Sequence, residues 1–182
     1  MILKSLALKN FRIYKGSGED GYERINFSSG DKNITIIQGN NEVGKTTIMN
    51  ALTWCLYNKE FYKKEGKKPI WNSFAADQLE NGEEDFVEVS IEMEDESNNI
   101  VTFKRILNFY KNDLGKVIRG NSTFEITASL DGLVPYLTIV AFTSYNISPV
   151  FSSSPFIIKY PFLGSNFPNL LKEALISSIP EK

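Results

Sequence analysis

The 182-residue chain has the composition of an ordinary soluble globular domain, with 42% hydrophobic and 23% charged residues. Its formal net charge of −2 gives no overall attraction to nucleic acid or to a membrane surface. The chain contains no histidine, so it lacks the most frequent general base and the commonest metal ligand, which argues against zinc sites and histidine-based triads.

The single cysteine and the first residues bear on the cellular compartment. Cys55 cannot form a disulfide within the chain. Its position in a predicted helix indicates a small buried apolar residue rather than a reactive thiol. Residues 1–5 resemble the start of a strand rather than a secretory signal, and there is no apolar run of about 18 residues. We therefore expect a cytoplasmic protein without a membrane segment.

Two antiparallel strands are predicted at the start of the chain. Leu6 and Leu8 share one side of residues 2–11 and Lys9 lies on the other, which is typical of a half-buried strand. A glycine-containing loop follows, and residues 22–27 form the second strand through a hairpin-like connection.

The next stretch combines a predicted buried strand at residues 33–38 with a loop that fits the P-loop pattern G-x-x-x-x-G-K-[ST]. Gly39 and Gly44 allow backbone conformations in which successive N–H groups can surround an anion. Lys45 would reach the β- and γ-phosphates of a nucleotide, and the hydroxyl of Thr46 would bind Mg²⁺. The candidate nucleotide-binding residues of this loop are Gly39, Asn40, Asn41, Glu42, Val43, Gly44, Lys45, Thr46 and Thr47.

A helix from Gly44 to about Tyr57 is predicted after the loop. Its apolar residues recur at helical spacing and define one face, formed by Ile48, Ala51, Leu52 and Cys55. The unpaired amides of its first turn and its dipole would add to the attraction for phosphate.

Residues 58–81 show no clear period and are locally basic, with aromatic residues between the lysines. This segment is either a solvated surface insertion or a nucleic-acid contact, since basic and aromatic residues together suit phosphates and bases. The lysines are Lys59, Lys63, Lys64, Lys67 and Lys68, and the aromatic residues among and after them are Phe61, Tyr62 and Trp71.

A β-hairpin is predicted from residues 86–94 and 100–109, with a further strand at 124–129. From about residue 133 the composition changes to a stretch rich in proline, serine and phenylalanine. We therefore divide the chain into a domain at residues 1–132 and a tail at residues 133–182.

Four segments carry a resemblance to a known family: Leu6-x-Leu8-Lys9-Asn10-Phe11-Arg12, Gly39-Asn40-Asn41-Glu42-Val43-Gly44-Lys45-Thr46-Thr47, Met49-Asn50-Ala51-Leu52-x-x-x-Leu56-Tyr57, and Phe103-Lys104-Arg105. Together they cover about residues 1–128. This part of the chain resembles the N-terminal ATPase lobe of the structural-maintenance-of-chromosomes (SMC) and DNA double-strand-break-repair ATPases. That ABC-type family also includes RecF-like and DNA-sulfur-modification ATPases.

The resemblance implies an α/β fold, a P-loop NTPase lobe of the ABC/SMC type. In it a mixed sheet, whose central strand leads into the P-loop helix, is combined with an antiparallel β-layer at residues 86–129. It implies ATP and Mg²⁺ as ligands, with Thr46 on the metal, and places Arg12 near the nucleotide phosphates. Without that role, Arg12 would form a surface salt bridge of small energetic value. Asn40 and Asn41 would complete the loop around the phosphates.

Other elements of the family pattern are missing from the sequence. The family uses an apolar strand ending in Asp-Glu, a Ser-Gly-Gly signature and a glutamine after the hairpin, whereas this chain has none of the three and no glutamine beyond Gln78. The groups that would polarise the attacking water are therefore not in view.

Three functional readings follow. The first is the ATP-binding half of a DNA-associated SMC-like ATPase, in DNA repair or in DNA modification and defence, which needs a C-terminal lobe or second subunit for hydrolysis. DNA is a possible partner by resemblance only. The second is a self-contained small P-loop phosphotransferase. The third is a non-catalytic interaction module that nucleotide stabilises.

Overall fold

The fold is built on a seven-stranded antiparallel sheet with the strand order β2-β1-β3-β4-β5-β6-β7. The computed structural model describes residues 1–28, 34–60, 69–96, 98–129, 137–143 and 157–159. The strands are β1 (Ile2–Lys9), β2 (Glu23–Asn26), β3 (Glu84–Glu94), β4 (Ile100–Lys111), β5 (Val117–Ser129), β6 (Leu137–Thr143) and β7 (Ile157–Lys159). The helices are α1 (Lys45–Tyr57) and α2 (Ser73–Asp77).

The N-terminal strands and the hairpin agree with the sequence prediction. β1 pairs with β2, with Leu6 opposite Ile25, and β3 pairs with β4 along its whole length. The turn between β3 and β4 is closed by Asp95, whose carboxylate accepts from the backbone N–H and the side-chain amide of Asn99, both at 2.9 Å. The strand predicted at 124–129 is part of the longer β5.

Alternation along the strands creates the core. Leu6 and Leu8 of β1 and Val87, Val89 and Ile91 of β3 point to one face of the sheet and are fully buried. Helix α1 packs on this face through Ile48, Ala51, Trp54 and Cys55, which are also buried. The predicted apolar face of the helix is thus confirmed for its buried members, whereas Leu52 is only partly buried.

Arg105 fixes the end of α1 to the sheet. Its Nε donates to the carbonyl of Cys55 at 2.8 Å, which satisfies one of the carbonyls that the last turn of a helix leaves unpaired. Its guanidinium also lies 4.5 Å from the ring centre of Phe124. Burial lowers the pKa of Arg105. The buried hydrogen bond therefore joins the end of α1 to β4.

The predicted buried strand at residues 33–38 is wrong for the residues that the structure describes. Residues 34–38 have no regular structure, and Ile34 and Ile36 are 71% and 84% exposed. The prediction of a mixed sheet is also wrong for the described residues, because every described strand pair is antiparallel. A β-branched run forms a stable strand only where neighbouring strands complete its hydrogen bonds and cover its side chains, and no described strand lies beside it.

Several other predictions fall on residues outside the described part of the chain. These are the first residue of the strand predicted at 33–38, the lysines at 63–68 with the aromatic residues at 61 and 62, and most of the tail. Within the tail, Leu137–Thr143 is a strand that pairs with β5, and Ile157–Lys159 pairs with it in turn. The division of the chain at residue 132 stays a prediction. Neither described helix has the length and apolar character needed to cross a lipid bilayer.

Candidate functional site

The loop at residues 39–44 ends at the first turn of α1. Gly44 is the N-cap of that helix and has a φ of 102°, a left-handed conformation that side chains other than glycine rarely adopt. A Cβ at Gly44 would lie 2.5 Å from Cδ1 of Ile13 and 2.6 Å from the hydroxyl of Tyr14. Glycine is therefore required here by both the backbone and the packing.

Lys45 is turned back over the loop. Its Nζ donates to the carbonyls of Gly39 and Asn40, both at 2.6 Å. Gly39 is itself closely packed, since a Cβ there would lie 2.8 Å from Cγ2 of Val43. The ammonium group thus joins the start of the loop to the start of the helix, and it places a positive charge against the loop backbone.

The first turn of α1 suits an anion. The N-cap residue Gly44 gives the helix no side-chain hydrogen bond, and the first turn contains no acidic residue. The N–H groups of a helix start and the positive end of its dipole attract negative charge, above all phosphate. Asn40, Asn41 and Thr46 are exposed, so a ligand can reach the loop from solvent.

The described residues contain no group of three or more acidic or thiol side chains that could hold a metal ion. A magnesium ion at this loop would be held by the hydroxyl of Thr46 and by the phosphates of a bound nucleotide, which is the arrangement of P-loops. The loop fits such a ligand, because the glycine conformations, the lysine and the hydroxyl stand at the start of one helix.

The loop after β1 packs directly against this site. The hydroxyl of Tyr14 donates to the carbonyl of Gly44 at 3.3 Å, and burial together with the nearby charge of Glu23 raises the pKa of Tyr14. The phenol therefore keeps its proton and remains a donor. Phe11 of the same loop is fully buried, with its ring centre 5.4 Å from that of Trp54 in α1.

In the structure Arg12 is bound by groups of the chain itself, a carboxylate and a backbone carbonyl. Its Nε and Nη2 donate to the carboxylate of Glu60 at 2.9 and 2.5 Å. Its Nη1 donates to the carbonyl of Pro69 at 2.6 Å. Arg12 thus forms a two-pronged ion pair within the chain.

Sequence reasoning missed Asn72, which shapes the Arg12 loop. The Asn72 amide donates to the carbonyl of Arg12 at 2.7 Å, and its side-chain oxygen accepts from the N–H of Ala75 as the N-cap of α2. Because α2 has only five residues, it is too short to show helical periodicity. The available signal was an N-capping residue followed by Ser73 and two alanines.

Cys55 is the buried apolar residue that the sequence predicted. Its side chain is fully buried, and burial raises its pKa to about 12. A thiol acts as a nucleophile only in its ionised form. Cys55 therefore takes no part in chemistry at neutral pH.

The comparison with protein families gives a match that covers most of the chain. The model of a family described as an AAA domain matches residues 5–161. A comparison with curated proteins gave no match. The matched region contains the P-loop pattern, helices α1 and α2, the second part of β1 and the strands β2 to β7. The chain therefore belongs to the AAA domain family, a membership that suggests nucleotide binding.

Proposed function

We propose that the chain is the ATP-binding N-terminal lobe of a DNA-associated, SMC-like ATPase, and that a C-terminal lobe or second subunit must join it before ATP is hydrolysed. Its membership of the AAA domain family and the loop at residues 39–46 support nucleotide binding. The exposed apolar run at residues 34–37, which leads into that loop, supports the need for a partner.

This run has the composition of a buried strand but not its environment. Ile34, Ile36 and Ile37 are 71%, 84% and 41% exposed, although isoleucine is among the residues most often found fully buried. Burying each of them would contribute roughly 1.5–3 kcal/mol. A partner that adds a strand beside the run would pair with its backbone, and the layer that the partner packs on it would cover these side chains.

The exposed side of α1 also supports the need for a partner. One side of the helix packs on the sheet, but on the other side Met49 and Tyr57 are 44% and 62% exposed. A helix that follows a phosphate-binding loop is normally covered on both sides in an α/β fold. A second layer of structure on this side would hold the P-loop more rigidly than the chain does alone.

In the proposed complex the loop residues bind the nucleotide. The backbone N–H groups of residues 39–45 surround the phosphates, Lys45 exchanges its loop carbonyls for the β- and γ-phosphates, and Thr46 binds Mg²⁺. Asn40 and Asn41 complete the loop. When bound, Mg²⁺ would neutralise charge on the phosphates. The group that polarises the attacking water is supplied by the partner, because the sequence has no apolar strand ending in paired acids.

The test is nucleotide binding and ATP turnover by the purified chain, with Lys45→Ala as the loss-of-function variant. Lys116→Ala is the matched control, because it removes an exposed lysine in the turn between β4 and β5. We expect binding that depends on Lys45 and not on Lys116, with turnover well below about 1 per second, the lower end of the usual range for kinases.

Two other results would replace this proposal. Turnover at about 1 per second or faster, lost in Lys45→Ala, would identify a self-contained P-loop enzyme. Lys45-dependent binding with no turnover, even with a partner that supplies the missing lobe, would identify an interaction module that nucleotide stabilises.

DNA association is the part of the proposal that rests on resemblance and on the basic composition of residues 59–68. Binding through these lysines should weaken steeply as salt rises, because each phosphate contact releases counterions. A binding constant for a short duplex that is unchanged between low and physiological salt would contradict the DNA contact while leaving the nucleotide site unaffected.

A further inference from the structure

The side chain of Tyr14 meets the backbone at the start of α1. Its hydroxyl donates to the carbonyl of Gly44 at 3.3 Å, and a Cβ at Gly44 would lie 2.6 Å from the phenol oxygen and 3.0 Å from Cζ. The same carbonyl accepts from the N–H of Ile48 at 3.1 Å, and a carbonyl oxygen can accept two such bonds. Tyr14 therefore contacts the point at which the loop at residues 39–44 passes into the helix.

The segment that carries Tyr14 is fixed by elements other than the nucleotide-binding loop. The side-chain amide of Asn10 donates to the carboxylate of Asp85 in β3 at 2.8 Å, and the carbonyl of Asn10 accepts from the N–H of Asn72 at 2.7 Å. The N–H of Tyr14 donates to the carbonyl of Phe11 at 2.9 Å, which closes a tight turn. The phenol is thus presented by a backbone that is held in place independently of residues 39–44.

The loop at residues 39–44 has less support on its other side. Gly44 is buried, whereas residues 39–43 are exposed and residues 34–38 before them have no regular structure. The three atoms nearest to a Cβ at Gly44 belong to Ile13 and Tyr14, and of these two side chains only the phenol can donate a hydrogen bond. The polar contact at this point therefore comes from Tyr14.

The direction of the first turn of α1 matters for an anion. The N–H groups at a helix start bind phosphate only where they already point at it, and binding groups that are held in place beforehand cost less free energy to order. A contact that fixes the carbonyl of Gly44 also fixes the peptide unit that joins Gly44 to Lys45.

We propose that Tyr14 is a positioning residue of the nucleotide site, whose hydroxyl holds the carbonyl of Gly44 and thereby orients the first turn of α1 toward the phosphate chain of the ligand. This inference rests on the proposed function. Because the hydroxyl contacts the protein backbone, its effect concerns the phosphate groups and is independent of the base.

The test compares two ligands that share a phosphate chain. The dissociation constants of Mg-ATP and of inorganic triphosphate with Mg²⁺ are measured by calorimetry for the full chain and for Tyr14→Phe, which keeps the ring and removes only the hydroxyl. We expect both constants to rise by the same factor of about three, near the lower end of the contribution of one neutral hydrogen bond.

The matched control is Tyr110→Phe, which removes a phenol oxygen from a side chain of β4 that is 40% exposed. It should leave both dissociation constants unchanged, whereas Lys45→Ala should weaken both ligands. Urea denaturation of each variant separates changes in affinity from changes in folding. If Tyr14→Phe does not fold, Tyr14→Leu also lacks the donor and should weaken both ligands by one common factor of about three or more.

Two results would overturn the inference without touching the proposed function. One is a Tyr14→Phe variant that loses stability or none but binds both ligands as tightly as the wild-type chain, which would make the contact purely structural. The other is a variant that weakens Mg-ATP alone, which would make Tyr14 a contact of the nucleoside. Absence of Lys45-dependent binding of either ligand to the wild-type chain would instead refute the proposed function itself.

Discussion

Two segments rich in β-branched residues differ in structure: one is a buried strand and the other is exposed without regular structure. Residues 87–91 form the middle of β3, where hydrogen bonds join the run to β1 on one side and β4 on the other, and Ile91 is fully buried. Residues 34–37, Ile-Thr-Ile-Ile, are β-branched at every position, yet no strand lies beside them in the described part of the chain, and Ile36 is 84% exposed. Strand formation here is decided by neighbours and not by side-chain propensity.

The difference also divides the candidate site into two halves. After the loop at residues 39–44, α1 is fixed by its buried face and by the hydrogen bond from Arg105 to the carbonyl of Cys55. In front of it, the run at residues 34–37 is open to solvent. The chain therefore fixes by itself the start of α1, whereas the segment that leads into the loop lies exposed without regular structure.

The sharpest test compares the same substitution in the two runs. Ile91→Ala should reduce the free energy of unfolding by about 2–5 kcal/mol, because it leaves a cavity in the core. Ile36→Ala should change it by less than about 0.5 kcal/mol, because the side chain is already in water. Urea denaturation measures both. Equal losses for the two variants would mean that residues 34–37 are packed in the isolated chain.

A second comparison uses two glycines with similar backbone angles. Gly44→Ala and Gly82→Ala both place a side chain at a left-handed φ, of 102° and 87°, which costs roughly 1–2 kcal/mol. Only at Gly44 would the new Cβ meet Ile13 and Tyr14, since nothing lies within 4 Å at Gly82.

We therefore expect Gly44→Ala to be the more destabilising of the pair in thermal denaturation. It should also be the only one of the two that weakens nucleotide binding. A Gly82→Ala variant that binds nucleotide as poorly as Gly44→Ala would disagree with the loop geometry.

Substitution of Asn72, which holds the Arg12 loop, should have a smaller effect on stability. Asn72→Ala removes the N-cap of α2 and the hydrogen bond to the carbonyl of Arg12, and the loss of an N-cap alone costs about 1 kcal/mol. The control is Asn81→Ala, because Asn81 is exposed and its side-chain hydrogen bond among the described residues is a long one, to the carbonyl of Asp113 at 3.3 Å. Chemical denaturation should show a clear loss for the first and almost none for the second. The reverse order would contradict the observed capping.

Thiol labelling at neutral pH compares the solvent accessibility of α1 with that of residues 34–37. Cys55 should resist a thiol reagent because it is buried and its pKa is raised to about 12, whereas Ile36→Cys should add a site that reacts at once. Fast labelling of Cys55 in the wild-type chain at pH 7 would contradict its burial.

The raised pKa of Cys55 also makes the stability of the fold depend on pH. Since the folded state keeps Cys55 protonated and the unfolded chain ionises near pH 9, the contribution of the protonated thiol to stability is complete below pH 9. That contribution is lost as the pH rises from 9 to 12.

The elements that sequence reasoning predicted well are those whose pattern is local. In the hairpin of β3 and β4, residues 87–93 alternate between apolar and polar before a turn of polar residues, and α1 shows apolar residues at helical spacing after a glycine. Each of these patterns specifies both the element and its buried face. The helix α2 escaped prediction because five residues are too few for a period to appear.

The sequence by itself determined the P-loop motif, the buried face of α1 and the antiparallel order of the first strands, because these depend on residues close together in the chain. Only the tertiary structure decided that residues 34–38 lie outside the sheet and that Arg12 pairs with Glu60, 48 residues away. Both outcomes depend on which distant groups are present to complete a hydrogen bond or an ion pair. A strand needs neighbouring strands and a partly buried arginine needs acceptors, and the local pattern specifies neither.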